Sequence, residues 1–205
     1  DYAFTDKITG SYHWAQLDDV YRQHFVGLIA SQPWGPGTFG ADVRMALSDD
    51  QGQARGGNID NTALNGMLSY SIIGHKFSAG YQHLSGDTAF PYVDGADPYL
   101  VNFVQINDFA GADERSWQAR YDYDFAKLGI PGLTFMTRYI NGDNVSLADG
   151  GEGKEWERNT EFKYVVQSGA LKNVAVRLRN ATFRSNFARD ADEVRLLVSY
   201  SLALW

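Results

Sequence analysis

The sequence predicts an all-β fold, a transmembrane antiparallel β-barrel of about ten strands, and three observations predict it. Apolar and polar residues alternate with period two over most of the chain. The alternating runs are mostly roughly 10–13 residues long, where strands of soluble sheets average about 5–6. Short connections alternate with mostly long ones along the chain, as they do when a strand crosses a membrane out and back, although the first, near Asp18 and Asp19, is tight and breaks the pattern.

The runs lie at about 7–17, 20–32, 38–48, 61–73, 76–85, 114–125, 132–141, 155–167, 174–186 and 193–205. Over 38–48, Phe39, Ala41, Val43, Met45 and Leu47 form one face, and Gly40, Asp42, Arg44, Ala46 and Ser48 the other. Trp117, Ala119, Tyr121, Tyr123 and Phe125 alternate with Gln118, Arg120, Asp122 and Asp124. At the end, Val194, Leu196, Val198, Tyr200, Leu202 and Leu204 form the apolar set, and Trp205 falls out of its phase. The second run is mixed, since Arg22 and His24 alternate with Gln23 and Phe25. No segment carries helical periodicity with caps.

The short connections are Pro33–Gly37, Gly74–His75, 126–131 and 168–173. The stretches 49–60, 86–113 and 142–154 are longer, polar and rich in Gly and Asp, and 187–192 is intermediate. Bacterial barrels normally keep both ends on the periplasmic side, so the long loops are expected to face outside the cell. The whole of 1–205 is read as part of one barrel domain in a bacterial outer membrane.

Composition agrees. Aromatic residues make up 14% and Gly numbers 21, a mixture suited to pleated strands and interfacial belts. Trp14, Trp34, Trp117, Trp156 and Trp205 read as interface anchors. No run approaches the ~20 apolar residues of a membrane-spanning helix. The net charge of −7 argues against a nucleic-acid partner, and the absence of Cys removes disulfides, thiolate nucleophiles and Cys-type metal sites. No secretory leader opens the sequence at Asp1, so a cleaved leader or further N-terminal residues are expected for an exported protein.

Several blocks resemble the C-terminal half of the OprD-type porins. They are GDTAFPY (86–92), DPYLVNFVQI (97–106), GIPGLTFMTRY (129–139), EWERNT (155–160), SGALKN (168–173), RNATFRSNF (179–187) and EVRLLVSYSL (193–202). The resemblance implies a monomeric 18-stranded barrel, of which these are the last ten strands. It also implies a narrow, selective pore for small carboxylate-bearing solutes, with a row of basic residues on the wall. Ten strands of a larger barrel leave two open edges, so the chain is expected to be part of what folds.

A cation facing hydrocarbon at mid-depth costs about 2–4 kcal/mol, so the polar set is expected to face water. That set holds Arg44, Arg120, Arg138, Lys163, Arg177, Arg179 and Arg195, with Asp42, Asp122, Asp124, Glu157 and Glu161. Arg177 and Arg179, two residues apart, stack about 7 Å apart along a strand. With Arg195 they offer guanidinium forks to a sliding carboxylate. The alternative is that these cations only pair with the wall acids.

The 86–113 connection is rich in apolar residues and is expected to fold into the pore, as its counterpart in the resembled family does. Asp94, Asp97, Tyr99 and Asn102 are the candidates for the side of the constriction opposite the Arg row, where acid against base orients a zwitterion. Asp143, Asp149, Glu152 and Glu155 read as solvated loop acids, or as bridges to lipopolysaccharide through divalent cations. Outer-membrane lipid and lipopolysaccharide are the expected surroundings. No catalytic residues, cofactor or protein-bound metal is expected. His13, His24, His75 and His83 lie in no H-E-x-x-H motif, and no G-x-S-x-G occurs. Rival readings are a barrel protease or lipase of the outer membrane and a soluble carbohydrate-binding β-protein. The sequence does not name the preferred carboxylate.

Overall fold

The computed structural model describes residues 1–201. It is one antiparallel sheet of eleven strands in which each strand pairs with its chain neighbours. The strands are β1 Tyr2–Thr5, β2 Ile8–Leu17, β3 Tyr21–Trp34, β4 Gly37–Asp50, β5 Asp60–Ile72, β6 His75–Ser85, β7 Arg115–Asp124, β8 Leu133–Ser146, β9 Glu152–Val165, β10 Ala175–Ser185 and β11 Ala191–Ser199. Among the described residues the sheet does not close, and β1 and β11 are its edges. Among the described residues no helix is long and apolar enough to cross a membrane.

Ten strands were expected, and β1 is the eleventh. Its four residues are all exposed and too few to display alternation. Two boundaries also differ. Pro33 lies inside β3 opposite Thr38, so the β3–β4 turn narrows to Gly35 and Pro36. The 142–154 stretch is mostly strand: β8 runs on to Ser146 past a bulge between Gly142 and Val145, and β9 starts at Glu152. Its Gly and Asp residues mark that irregularity rather than a loop. The expected end strand runs to Ser199. Leu202, Leu204 and the proposed anchor Trp205 lie outside the described residues.

The alternation separates two chemistries. On one face, Val43, Met45, Leu47, Leu64, Leu68, Trp117, Phe162, Leu178, Val194, Leu196 and Val198 are exposed. Aromatic rings on that face form two bands. Trp117, Tyr139 and Trp156 stand in sequence with ring centroids 5.6 and 5.7 Å apart. Nearer the short turns, Phe77, Tyr121, Phe135 and Phe162 follow at 5.2, 6.3 and 4.9 Å. An apolar surface bounded by aromatic bands is the exterior of a membrane barrel.

The other face carries the polar set and the long connection between β6 and β7. Apolar residues of that connection do not hang free. Phe90 and Leu100 pack with Phe25, Ala46, Ala63 and Leu84 of β3–β6 in a small buried cluster, and Tyr92 and Phe103 lie against it. The small side chains Ala46 and Ala63 sit opposite each other across the β4–β5 ladder, which leaves room for the rings.

Candidate functional site

Two features share the polar face: the strapped connection and a cationic surface beside it. The connection is tied to most strands it crosses. From β3, Gln23 donates to the Pro91 carbonyl at 3.3 Å, and from β4, Arg44 Nη1 donates to the Tyr99 carbonyl at 3.0 Å. Asn65 of β5 accepts from the Val101 amide at 3.2 Å. Gln82 of β6 donates to the Phe109 carbonyl at 2.6 Å. From β7, Ser116 accepts from Asn102 at 2.8 Å, and Gln118 donates to the Val101 carbonyl at 3.1 Å.

The firmest anchor is Glu157 of β9, which is fully buried. Its two carboxylate oxygens accept from the Ile106 and Asn107 amides at 3.1 and 2.8 Å. On β11, Arg195 donates to the Gln105 carbonyl at 3.2 Å, and Gln105 donates to Glu193 at 3.2 Å. Buried backbone groups need partners, and alternate residues of successive strands provide them.

Within the connection, Tyr99 holds a left-handed backbone (φ 57°), a conformation that costs a side-chain-bearing residue. Its amide donates to Asp97 at 2.8 Å and its carbonyl accepts from Arg44, so both flanks are fixed. Its ring stacks on His13 and leans on Phe25, with centroids at 6.1 and 5.0 Å. Tyr92 donates to Asp108, and that hydrogen bond together with burial pushes the phenol up to about 12.

The cationic surface falls in two adjoining recesses of ≈ 510 Å³ each. The first contains Arg44, Lys76 and Arg120 with Asp42 and Asp97. The second holds Lys76, Arg120, Arg138, Lys163, Arg177 and Arg179 with Asp122, Asp124 and Glu161. Six cations stand there against three acids, an excess that draws anions. Lys76 and Arg120 belong to both recesses, so the surface is continuous.

The arginines have defined settings. Arg120 forks onto Asp122 at 2.8 and 2.7 Å, and Arg44 onto Asp42 at 2.9 and 2.7 Å. Arg138 donates to Asn159 at 2.7 Å. Arg177 and Arg179 share one acid, Glu161: Arg177 Nε lies 3.4 Å from Oε1, and Arg179 Nε contacts Oε2. Lys163 is the ladder partner of Arg177, and Arg195 that of Arg179. Arg195 Nε also donates to Glu193 Oε1 at 2.5 Å.

The structure therefore brings Arg120, Arg138, Lys163, Arg177 and Arg179 together, with Arg195 beside Arg179 and Arg44 in the adjoining recess. Asp97 lines the recess that contains Arg44, and Tyr99 stands exposed next to it. Asp94 is exposed in the 93–96 turn and lines neither recess. Asn102 does not face the Arg row. It is fully buried against Ser116 and Gln118, because its strand neighbours take up its amide. Glu155 is no solvated loop acid either: the phase of β9 places it, with Glu157 and Asn159, buried on the polar face.

Sequence reasoning missed Lys76, whose signal was its phase with Ser78, Gly80 and Gln82 at the start of β6. It also missed the buried carboxyls of Glu114 and Glu155, which a single run of residues cannot bring together. Among the described residues no group of His, Cys, Asp and Glu is arranged to hold a metal ion.

The chain matches the family model described as outer membrane porin, OprD family, over residues 1–204. It is 38% identical over 229 residues to Porin D of Pseudomonas aeruginosa, an alignment covering 99% of this chain and 52% of that protein. Among solved structures, OccK5 (OpdH) of Pseudomonas aeruginosa is 65% identical with a TM-score of 0.97, covering 100% of this chain and 57% of that one. A BenF-like porin from Pseudomonas fluorescens is 44% identical with a TM-score of 0.95, covering 99% of this chain and 53% of that one. The chain thus spans about half the length of the curated relatives it matches.

Proposed function

Because this chain belongs to the OprD family of outer membrane porins, we propose that it supplies one side of a channel for small carboxylate-bearing solutes. The observation that carries this reading is the cationic surface. Lys76, Arg120, Arg138, Lys163, Arg177 and Arg179 outnumber their acids two to one and lie on the face opposite the apolar, aromatic-banded one.

A carboxylate enters near Arg44, where Asp97 across the recess takes up a positive group of the same solute and orients it. It then passes to Lys76 and Arg120, which belong to both recesses, and on to Lys163, Arg177 and Arg179. Each step exchanges one charge-assisted hydrogen bond for another, so the solute is never fully dehydrated and unpaired. The acids keep the wells shallow. Glu161 competes for both Arg177 and Arg179, and Asp122 for Arg120, so a bound carboxylate leaves readily.

In this reading the 86–113 connection narrows the pore. Its many ties to the polar face favour a fixed constriction over a swinging lid. The rest of the barrel supplies partners for the edges of β1 and β11. The test is replacement of Arg177 and Arg179 together by Gln in the whole channel reconstituted in planar bilayers. Carboxylate permeation is expected to fall at least about tenfold, the loss of roughly one charge-assisted hydrogen bond, with folding unchanged. Permeation equal to wild type would remove the basic row from the mechanism.

A further inference from the structure

Glu114 and Glu155 are buried carboxyls, 1% and 5% exposed, that the transport reading does not use. Glu114 lies just before β7, where the long connection rejoins the sheet, and Glu155 lies near the start of β9. Glu114 Oε2 accepts from the Gly111 amide at 2.9 Å. Its Oε1 is buried without a hydrogen-bond partner. That oxygen lies against Gly142, so closely that a Cβ there would meet it at 2.3 Å, and Gly142 is the ladder partner of Glu155. Glu155 Oε1 in turn accepts from Asn107 Nδ2 at 2.5 Å. One carboxyl grips the stretch 107–111 at its start and the other at its end. Gln82 holds Phe109 between them.

The charged groups facing the pair are acids: Asp143 from β8, Glu157 from β9 and Asp108 from the connection. Two bare carboxylates in such a place would repel each other and stay desolvated, and the acids around them add to the repulsion. A single proton removes the conflict. It makes Glu114 Oε1 a donor toward Glu155, and the orphaned oxygen is satisfied.

We propose that Glu114 is a positioning residue for the pore-narrowing connection: its carboxyl and that of Glu155 hold one proton between them, and the 107–111 segment stays seated only while that proton is bound. The idea rests on the constriction reading above for its effect on transport, but not for the proton itself. Burial, and next the charge of Glu155, push the Glu114 carboxyl up to about 8 from its ordinary 4.5. The sign follows. A carboxyl raised in the folded state favours the protonated, seated form. That stabilisation is fully present below about 4.5 and is lost as pH rises through about 8. The two groups titrate as a unit.

The experiment uses the whole channel in lipid, wild type against Glu114→Gln. The amide keeps a donor toward Glu155 but cannot ionise. Infrared difference spectra are expected to show a protonated-carboxyl carbonyl band in the wild type at neutral pH, lost as pH passes about 8 and missing from the variant. Hydrogen-exchange protection factors over 107–111 should fall about tenfold per pH unit above that point in the wild type, and stay level in Glu114→Gln. A band that does not titrate, or identical protection profiles in the two proteins, would overturn the proposal. Single-channel conductance reads the other claim. A conductance that rises as protection falls supports both readings. One that ignores pH while band and protection titrate together upholds the shared proton and overturns the constriction.

Discussion

Arg120 and Arg138 stand directly opposite each other across the β7–β8 ladder, and their guanidinium groups turn to different acceptors, Asp122 and Asn159. Like charges placed face to face destabilise a sheet by about 0.2–1 kcal/mol. In the proposed channel a passing anion relieves that repulsion, so the pair that weakens the wall would strengthen carboxylate binding. Arg138→Gln keeps a donor for Asn159 and removes the repulsion. The variant is expected to unfold from lipid vesicles at a urea concentration equal to or above wild type, while anion selectivity, read as reversal potential in a salt gradient, falls.

Glu161 is shared by Arg177 and Arg179. Glu161→Gln frees both guanidinium groups and deepens the well for a passing carboxylate. Residence times of a carboxylate blocker in single-channel records should lengthen by about tenfold, the equivalent of roughly one charge-assisted bond. Turnover should fall as release becomes limiting. Shorter residence would show that Glu161 holds the row in its working shape instead of competing with the solute.

Glu157 holds the connection by the amides of Ile106 and Asn107. Glu157→Ala leaves three donors without their acceptor, the two amides and Asn159 Nδ2, at a cost of about 3 kcal/mol to the seated segment. Faster hydrogen exchange at 105–108 and noisier open-channel current are expected, with β-sheet content by circular dichroism unchanged.

The division of faces was legible in the sequence because strand side chains alternate without exception of phase along a straight run. Val43, Met45 and Leu47 fall on the apolar side and Arg44 and Ala46 on the other, as the pattern over 38–48 requires. The neighbours of Arg177 were less legible. Consecutive strands pair, but that Arg195 lies opposite Arg179 and that Glu161 is shared both depend on register, which alternation leaves open. β1 escaped notice because four residues show too little of a period. The roles of Asn102 and Glu155 were misjudged for one reason. Both look like loop polar groups in sequence, and both are buried because the connection folds back over strands far away in the chain.

In the proposed channel the Arg-bearing face borders water and the other face lipid. This chain contains no Cys, so it adds no thiol background. Single substitutions Arg177→Cys and Leu178→Cys, adjacent on β10 and on opposite faces, are introduced into the whole channel in bilayers. A charged, membrane-impermeant thiol reagent should react at position 177 and change the conductance, while position 178 reacts only with a lipid-soluble maleimide. Labelling of 178 by the charged reagent, with 177 silent, would contradict it.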